Sequence, residues 1–250
     1  KRLLNDWSLG LQAGGGWNAL FWNNHDQPRA INRFGDPGRY RVESATMLAT
    51  VIHLLRGTPF VYMGEEIGMT DPDYETISDY VDVEAHNAFA SLMETGRSER
   101  EAFAIVRGKA RDNARTPMQW DSGRTAGFTN GTPWLRSTNQ ARINVADEEA
   151  EGRILPYYRR LIALRKGQPV ISRGRYLPYA MDHPEVFAYI REHGGQRLLV
   201  LTNFRAKQAE IEIPLDFTEG SILISNYPER TLDSTIRLEP YEALAILISN

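Results

Sequence analysis

The sequence has 250 residues, 42% of them hydrophobic and 24% charged, with a formal net charge of −3. That balance belongs to an ordinary globular protein of one large or two modest domains, and gives no electrostatic reason to expect a nucleic-acid or membrane partner. No apolar run approaches the ~20 residues of a membrane span, and the lack of cysteine excludes disulfides and thiolate metal sites while fitting a cytoplasmic setting.

Leu3, Leu4, Trp7 and Leu11 recur at helical spacing, and Gly14, Gly15 and Gly16 end the helix they predict. The aromatic run over 17–22 reads as a short buried strand that breaks off at Asn23, Asn24, His25 and Asp26. After a turn at Asp36, Pro37 and Gly38, a helix follows with Val42, Ala45, Leu48, Val51, Ile52 and Leu55 on one face and Gly57 as its expected C-cap. A second buried strand is predicted over 59–63, ending in Gly64, Glu65 and Glu66. Helix, strand, helix, strand implies parallel strands joined by a crossover helix. Two such strands cannot form a sheet covered on both faces, so this α/β part reads as the end of something larger.

From about Thr70 to Asp147 the periodicity weakens, and the stretch is too long for a bare connection; it is read as an insertion with short helices of its own. Ile154, Leu155, Tyr158, Leu161, Ile162 and Leu164 restore a helix, closed by Gly167 and Pro169. Beyond it, short β-rich runs recur at 186–190, 198–201, 211–213, 222–224, 236–238 and 244–248, with a hairpin turn at His193, Gly194 and Gly195. Regular short strands with turns between them predict a small antiparallel sandwich.

The residues richest in chemistry are His25 and Asp26, side by side on a loop that follows a strand, where they suit hydrogen bonding to sugar hydroxyls or acid–base work. Arg111 and Arg115 come next, because a guanidinium makes paired contacts with a carboxylate or with adjacent hydroxyls better than lysine does. Glu65 and Glu66 are read as structural, and Trp120 and Trp134 as packed within the insertion rather than stacked on sugars. No His-Glu-x-x-His pattern or calcium-loop spacing indicates a metal, and no cofactor is expected.

Asn24-His25-Asp26 after a strand resembles the segment at the seventh barrel strand of glycoside hydrolase family 13, the α-amylase family. The longer run through Gln27, Pro28 and Arg29, with Arg33 to Asp36, is similar to its oligo-1,6-glucosidase and trehalose-6-phosphate hydrolase subfamily. In the expected order follow the stretches 57–69, like the eighth-strand segment, and 79–84 and 111–120, like the insertion after it. Residues 238–243 resemble the last strand of the C-terminal domain. The resemblance runs through essentially the whole chain.

It implies an α/β plus all-β organisation. The last two βα units of a (β/α)8 TIM barrel, with an insertion at about 70–147, would fill residues 1–168, and a C-terminal antiparallel β-sandwich residues 169–250. The site of that family lies at the C-terminal ends of the barrel strands. Its members hydrolyse glycosidic bonds with retention, using a nucleophile, an acid/base and a third carboxylate that grips the sugar. By motif match Asp26 is that third carboxylate, His25 its hydrogen-bonding neighbour, and Arg111 holds the glucose; Arg29 is expected to reach the rim of the site and bind substrate there. The nucleophile and acid/base belong on the fourth and fifth strands, and this chain is expected to begin on the sixth helix.

The chain is therefore expected to need the missing N-terminal part of the same barrel, to act with it on a short α-glucoside, and to be inactive alone. Met63 stands where relatives carry Gln, and Val81 where they often carry Arg, which weakens any inference about the accepted leaving group. An oligo-1,6-glucosidase is favoured. A trehalose-6-phosphate hydrolase, a sucrose isomerase-type transglucosylase and a non-catalytic relative remain as alternatives.

Overall fold

The structure is a computed structural model that describes residues 1–228 and 230–249; positions 229 and 250 of the expected sandwich lie outside the described residues. In chain order it contains α1 (Arg2–Ala13), β1 (Ala19–Leu20), α2 (Ala30–Phe34), α3 (Arg41–Leu54), β2 (Thr58–Pro59), α4 (Val83–Glu94), α5 (Glu99–Arg107), α6 (Asp112–Arg115) and α7 (Val145–Ala150). Then come α8 (Ile154–Gly167), α9 (Pro169–Ser172), β3 (Arg175–Tyr179), β4 (Val186–His193), β5 (Gln196–Asn203), β6 (Ala209–Glu212), β7 (Ser221–Ser225), β8 (Thr235–Leu238) and β9 (Ala243–Ser249). The chain divides into two compact units, Lys1–Phe21 with Phe34–Phe60 and Pro156–Asn250, and Trp22–Arg33 with Val61–Leu155.

In the first unit β1 and β2 pair in parallel, as expected, but each is only two residues long. The strands read over 17–22 and 59–63 are shorter and more open than their sequences suggest, with Phe21 53% and Phe60 56% exposed. A strand is defined by its ladder, and here each has one neighbour and two paired residues. Helix α1 forms where predicted, yet Leu3 and Trp7 are exposed while Asn5 and Ser8 are buried. Asn5 accepts a hydrogen bond from the Tyr176 hydroxyl, which accounts for a polar residue facing inward.

Helix α3 is buried on every side from Ser44 to Leu54, so it is a core helix rather than one with a single apolar stripe. Its buried polar residues turn to the backbone, with Thr50 Oγ1 donating to Thr46 O at 2.8 Å. Its C-terminus is satisfied differently from the expectation. The Arg165 guanidinium donates to His53 O at 2.8 Å and Leu55 O at 3.0 Å, filling acceptors that a glycine cap would otherwise serve. Gly57 lies beyond the helix end at φ 151°, and a Cβ there would sit 2.5 Å from Asn18 O. Its absence of a side chain lets the β1 and β2 backbones meet, with Thr58 N donating to Asn18 O at 2.7 Å.

The C-terminal sheet is antiparallel in the order β3-β4-β5-β9-β7, and β6 pairs with β8 in a separate ribbon. Val186, Ala188 and Ile190 of β4, Leu199 and Leu201 of β5, and Leu244 and Ile246 of β9 share one core with Ile211, Ile236 and Leu238 of the ribbon. The alternate residues of β4 serve the opposite face. Tyr189 donates its hydroxyl to Val51 O at 3.0 Å, and Arg191 donates to Leu54 O at 2.6 Å and Gly174 O at 2.5 Å. Burial on both faces explains why β4 and β5 read as near-continuous apolar runs. Gly194 and Gly195 both have positive φ, 56° and 80°, as a two-residue hairpin between right-twisted strands requires. Strand β3 escapes sequence reading because Pro178 interrupts it; as an edge strand it tolerates the proline.

The second unit carries helices α4 to α7. Asp82 caps α4 by accepting from Glu84 N at 3.2 Å. Ser98 and Glu101 form a reciprocal capping box at the start of α5. Tyr74, Tyr80, Ala85, Val106 and Ala110 pack as one small core here, and Ile67, Met69, Met118 and Ile143 as another.

Candidate active site

The loop after β1 is shaped by Asn24, whose Oδ1 accepts from Asp26 N at 2.9 Å in an Asx turn. This turn presents the Asp26 side chain half-exposed, at 47% of its surface. His25 Nε2 lies 3.3 Å from Asp26 Oδ2. On the other oxygen, Arg115 Nη2 donates to Asp26 Oδ1 at 3.0 Å, while Arg115 Nε donates to the His25 carbonyl at 2.8 Å. Arg111 Nη1 stands 3.9 Å from the same Oδ1. Two guanidinium groups and an imidazole thus gather on one carboxylate.

Arg111 is aimed by a forked pair with Asp82, Nε to Oδ2 at 2.7 Å and Nη2 to Oδ1 at 2.8 Å, and Nη2 also lies 3.0 Å from Glu84 Oε2. Hydrogen bonding to Arg111 holds the Asp82 carboxyl below its usual range, and the same bond raises the Arg111 guanidinium above its own. Asp82 in turn is set by Asp112, whose buried Oδ2 accepts from Val81 N at 2.8 Å and Asp82 N at 2.9 Å. Val81, noted for replacing an arginine, therefore contributes its backbone here.

Arg29 differs from the expectation that it touches substrate. It is only 1% exposed, and its guanidinium faces backbone oxygens of Met63, Asn113 and Thr116. Burial lowers its pKa despite nearby Tyr62, Asp71, Glu65 and Glu66. Of the glutamate pair, Glu66 accepts from Gly64 N at 2.8 Å. Glu65 is buried, both its oxygens lack a hydrogen-bond partner among the described residues, and burial pushes its carboxyl up to about 8. Trp120 and Trp134, expected inside, are 51% and 68% exposed. Among the described residues no group of three or more His, Asp or Glu side chains is placed to hold a metal ion, and no helix is long and apolar enough to cross a membrane.

Arg115 takes a fuller part than Arg111 in holding Asp26, and Asp82 and Asp112 were not singled out from the sequence at all. The signal for Asp82 was present, since it is the N-cap of α4 and an N-cap carboxylate is free to accept from a neighbouring arginine as well.

The alpha amylase catalytic domain matches residues 1–174 of the chain, and the C-terminal domain of alpha-amylase SusG matches residues 186–244. The chain belongs to the α-amylase family. It is a fragment of the family's barrel followed by a C-terminal sheet domain. Among curated family members, the trehalose-6-phosphate hydrolase of Bacillus subtilis is 43% identical over 98% of this chain and 45% of its own length. The oligo-1,6-glucosidase of Halalkalibacterium halodurans is 45% identical over 100% of this chain and 46% of its own. The crystal structure of Bacillus licheniformis trehalose-6-phosphate hydrolase superposes with a TM-score of 0.94 at 41% identity, over 100% of this chain and 46% of that one. The chain thus spans under half the length of these family members.

Proposed function

We propose that this chain supplies part of the active site of a retaining α-glucosidase that removes terminal glucose from short oligosaccharides, of the oligo-1,6-glucosidase type. The observation that carries the reading is the half-exposed Asp26 carboxylate, held on one oxygen by Arg115 with His25 and Arg111 beside it. Residues 1–168 are read as the last two βα units of the barrel with the insertion at about 70–147, and 169–250 as the sandwich. The nucleophile and the acid/base would come from a preceding part of the same barrel. The lack of cysteine fits a cytoplasmic setting.

In this reading Asp26 accepts hydrogen bonds from two adjacent sugar hydroxyls. As the ring approaches an oxocarbenium ion those hydroxyls become better donors, so the contact strengthens in the transition state more than in the ground state. Arg115 fixes the carboxylate's rotamer, and His25 and Arg111 Nη1 reach the same sugar. None of these groups makes or breaks the glycosidic bond. In this reading a nucleophilic carboxylate takes the glycosyl unit while an acid/base about 5–5.5 Å away protonates the leaving oxygen and then draws a proton from the water that releases the sugar.

Asp26→Asn in the full-length protein tests this. It is expected to lower kcat on p-nitrophenyl α-glucoside by on the order of 10²–10³-fold, the scale set by removing a transition-state hydrogen-bonding group. Full turnover by that variant would sink the reading. A second substrate, trehalose 6-phosphate, stands beside it because a trehalose-6-phosphate hydrolase at 43% identity is about as similar to this chain as an oligo-1,6-glucosidase at 45%. Comparing kcat/KM on isomaltose and on trehalose 6-phosphate separates the two.

A further inference from the structure

Arg29 lies three residues along the loop from Asp26 and is closed off from solvent. Its Nε donates to Asn113 O at 3.3 Å, and its Nη2 donates to Thr116 O at 3.3 Å and Thr116 Oγ1 at 3.2 Å. These acceptors flank Arg115 on both sides. They are the last carbonyls of the four-residue helix α6 and its edge, which have no partner inside so short a helix. Tyr62, with the Arg29 guanidinium 5.6 Å from its ring centre, donates to Ala114 O at 3.1 Å and completes the row. At its own end Arg29 is fixed by its backbone N, which donates to Asp71 Oδ1 at 2.7 Å, and by Nη1, which donates to Met63 O.

We propose that Arg29 is a positioning residue, a buried strap that sets how Arg115 meets Asp26. The proposal rests on reading Asp26 as the stabilising carboxylate. The contacts close a ring: Asp26 to Arg29 along the loop, Arg29 to the carbonyls around Arg115, and Arg115 back to Asp26 Oδ1 and His25 O. In a closed ring the one exposed link, Arg115 to Asp26, inherits its geometry from the buried links. Arginine is needed because its planar fork serves three carbonyl directions at once, whereas a lysine ammonium is a point donor on a flexible stem. A catalytic group is held well only if the residues behind it are themselves locked, and Arg29 at 1% exposure is locked on every nitrogen.

The test is a double-mutant cycle in the full-length protein. Arg29→Lys alone is expected to lower kcat on the order of 10–100-fold, the penalty for a misplacement near 1 Å, with KM changed by less than about threefold. In an Arg115→Met background the same Arg29→Lys change should cost less than about threefold more, because the strap then has nothing to aim. Equal losses in both backgrounds would mean that Arg29 only holds the protein together, and would overturn the proposal. Should Arg29→Lys fail to fold by thermal melt, Thr116→Val replaces it, removing one acceptor while keeping the backbone. Its few-fold loss of kcat must likewise vanish in the Arg115→Met background, and additivity overturns the proposal there too. Retention of full turnover by Asp26→Asn would instead remove the reading beneath it; additivity with Asp26→Asn inactive removes the strap alone.

Discussion

Single residues in this chain record where polar chemistry has been taken out of water. His53 is buried in α3, its Nδ1 is 2.8 Å from Ala49 O, and its ring meets Tyr158 edge-on at 5.4 Å between centres. A carbonyl can only accept, so Nδ1 carries a proton, and it is burial of the ring that disfavours a second one on Nε2. Burial holds its pKa at about 4, against 6.5. Above pH 6.5 both folded and unfolded chains keep the ring neutral; as pH falls toward 4 the unfolded chain takes up a proton that the folded one refuses. At about 1.4 kcal/mol per pH unit, roughly 3 kcal/mol of stability is lost over that window. Denaturant titrations at pH 7 and pH 4.5 should show the loss, and His53→Gln should flatten it. Glu65 runs the other way. With its folded pKa up to about 8, the stability it leaves intact below pH 4.5 declines as pH rises to 8, and Glu65→Gln should raise the unfolding midpoint at pH 8 more than at pH 5. The polar residues at 25, 26 and 111 are legible from sequence because a strand-end loop and a motif name them. Arg29 is misread for a physical reason: its partners are backbone carbonyls, which leave no signature in side-chain identity.

At the scale of elements, Gly57 makes a sharper prediction than the helix cap first assigned to it. Its φ of 151° and the 2.5 Å that a Cβ would leave to Asn18 O mean that Gly57→Ala must move either β2 or β1. A loss of roughly 1–3 kcal/mol is expected, read as a lower urea midpoint, because both the strained backbone and the close approach act against alanine. Helices α1, α3 and α8 and strands β4, β5 and β9 were readable from their apolar residues, though not for one reason. Helix α8 shows a spaced buried face, α3 is apolar because it is buried all round, and β4, β5 and β9 are near-continuous apolar runs. The spaced residues of α1 mark the helix although Leu3 and Trp7 stay exposed. Strands β1 and β2 were overextended because an aromatic run looks alike whether or not a ladder partner stands beside it. Strand β3 was passed over because its proline masks an edge position.

The molecule as a whole carries apolar surface that its own folding does not cover. β1 and β2 form a two-stranded parallel sheet, far below what such sheets need to be stable, and Trp17, Phe21 and Phe60 around them are exposed. The 250-residue chain produced alone is therefore expected to bind a dye such as ANS, to associate at micromolar concentration, and to give no α-glucosidase turnover. Sedimentation and a p-nitrophenyl α-glucoside assay check this; a monomeric, active chain would contradict it.

A different consequence follows from Arg191. Because this guanidinium passes from β4 to Leu54 O of α3 and to Gly174 O, while Tyr189 reaches Val51 O, the C-terminal sheet reads the last turn of a helix that lies over a hundred residues earlier. For anyone recombining relatives, the natural joint is then not the connection near residue 168 where the chain changes character. A chimera cut there keeps the Gly174 acceptor but relies on the other parent's α3 to bring a backbone carbonyl to the place of Leu54 O, so the hybrid folds only where that helix keeps its register against the sheet.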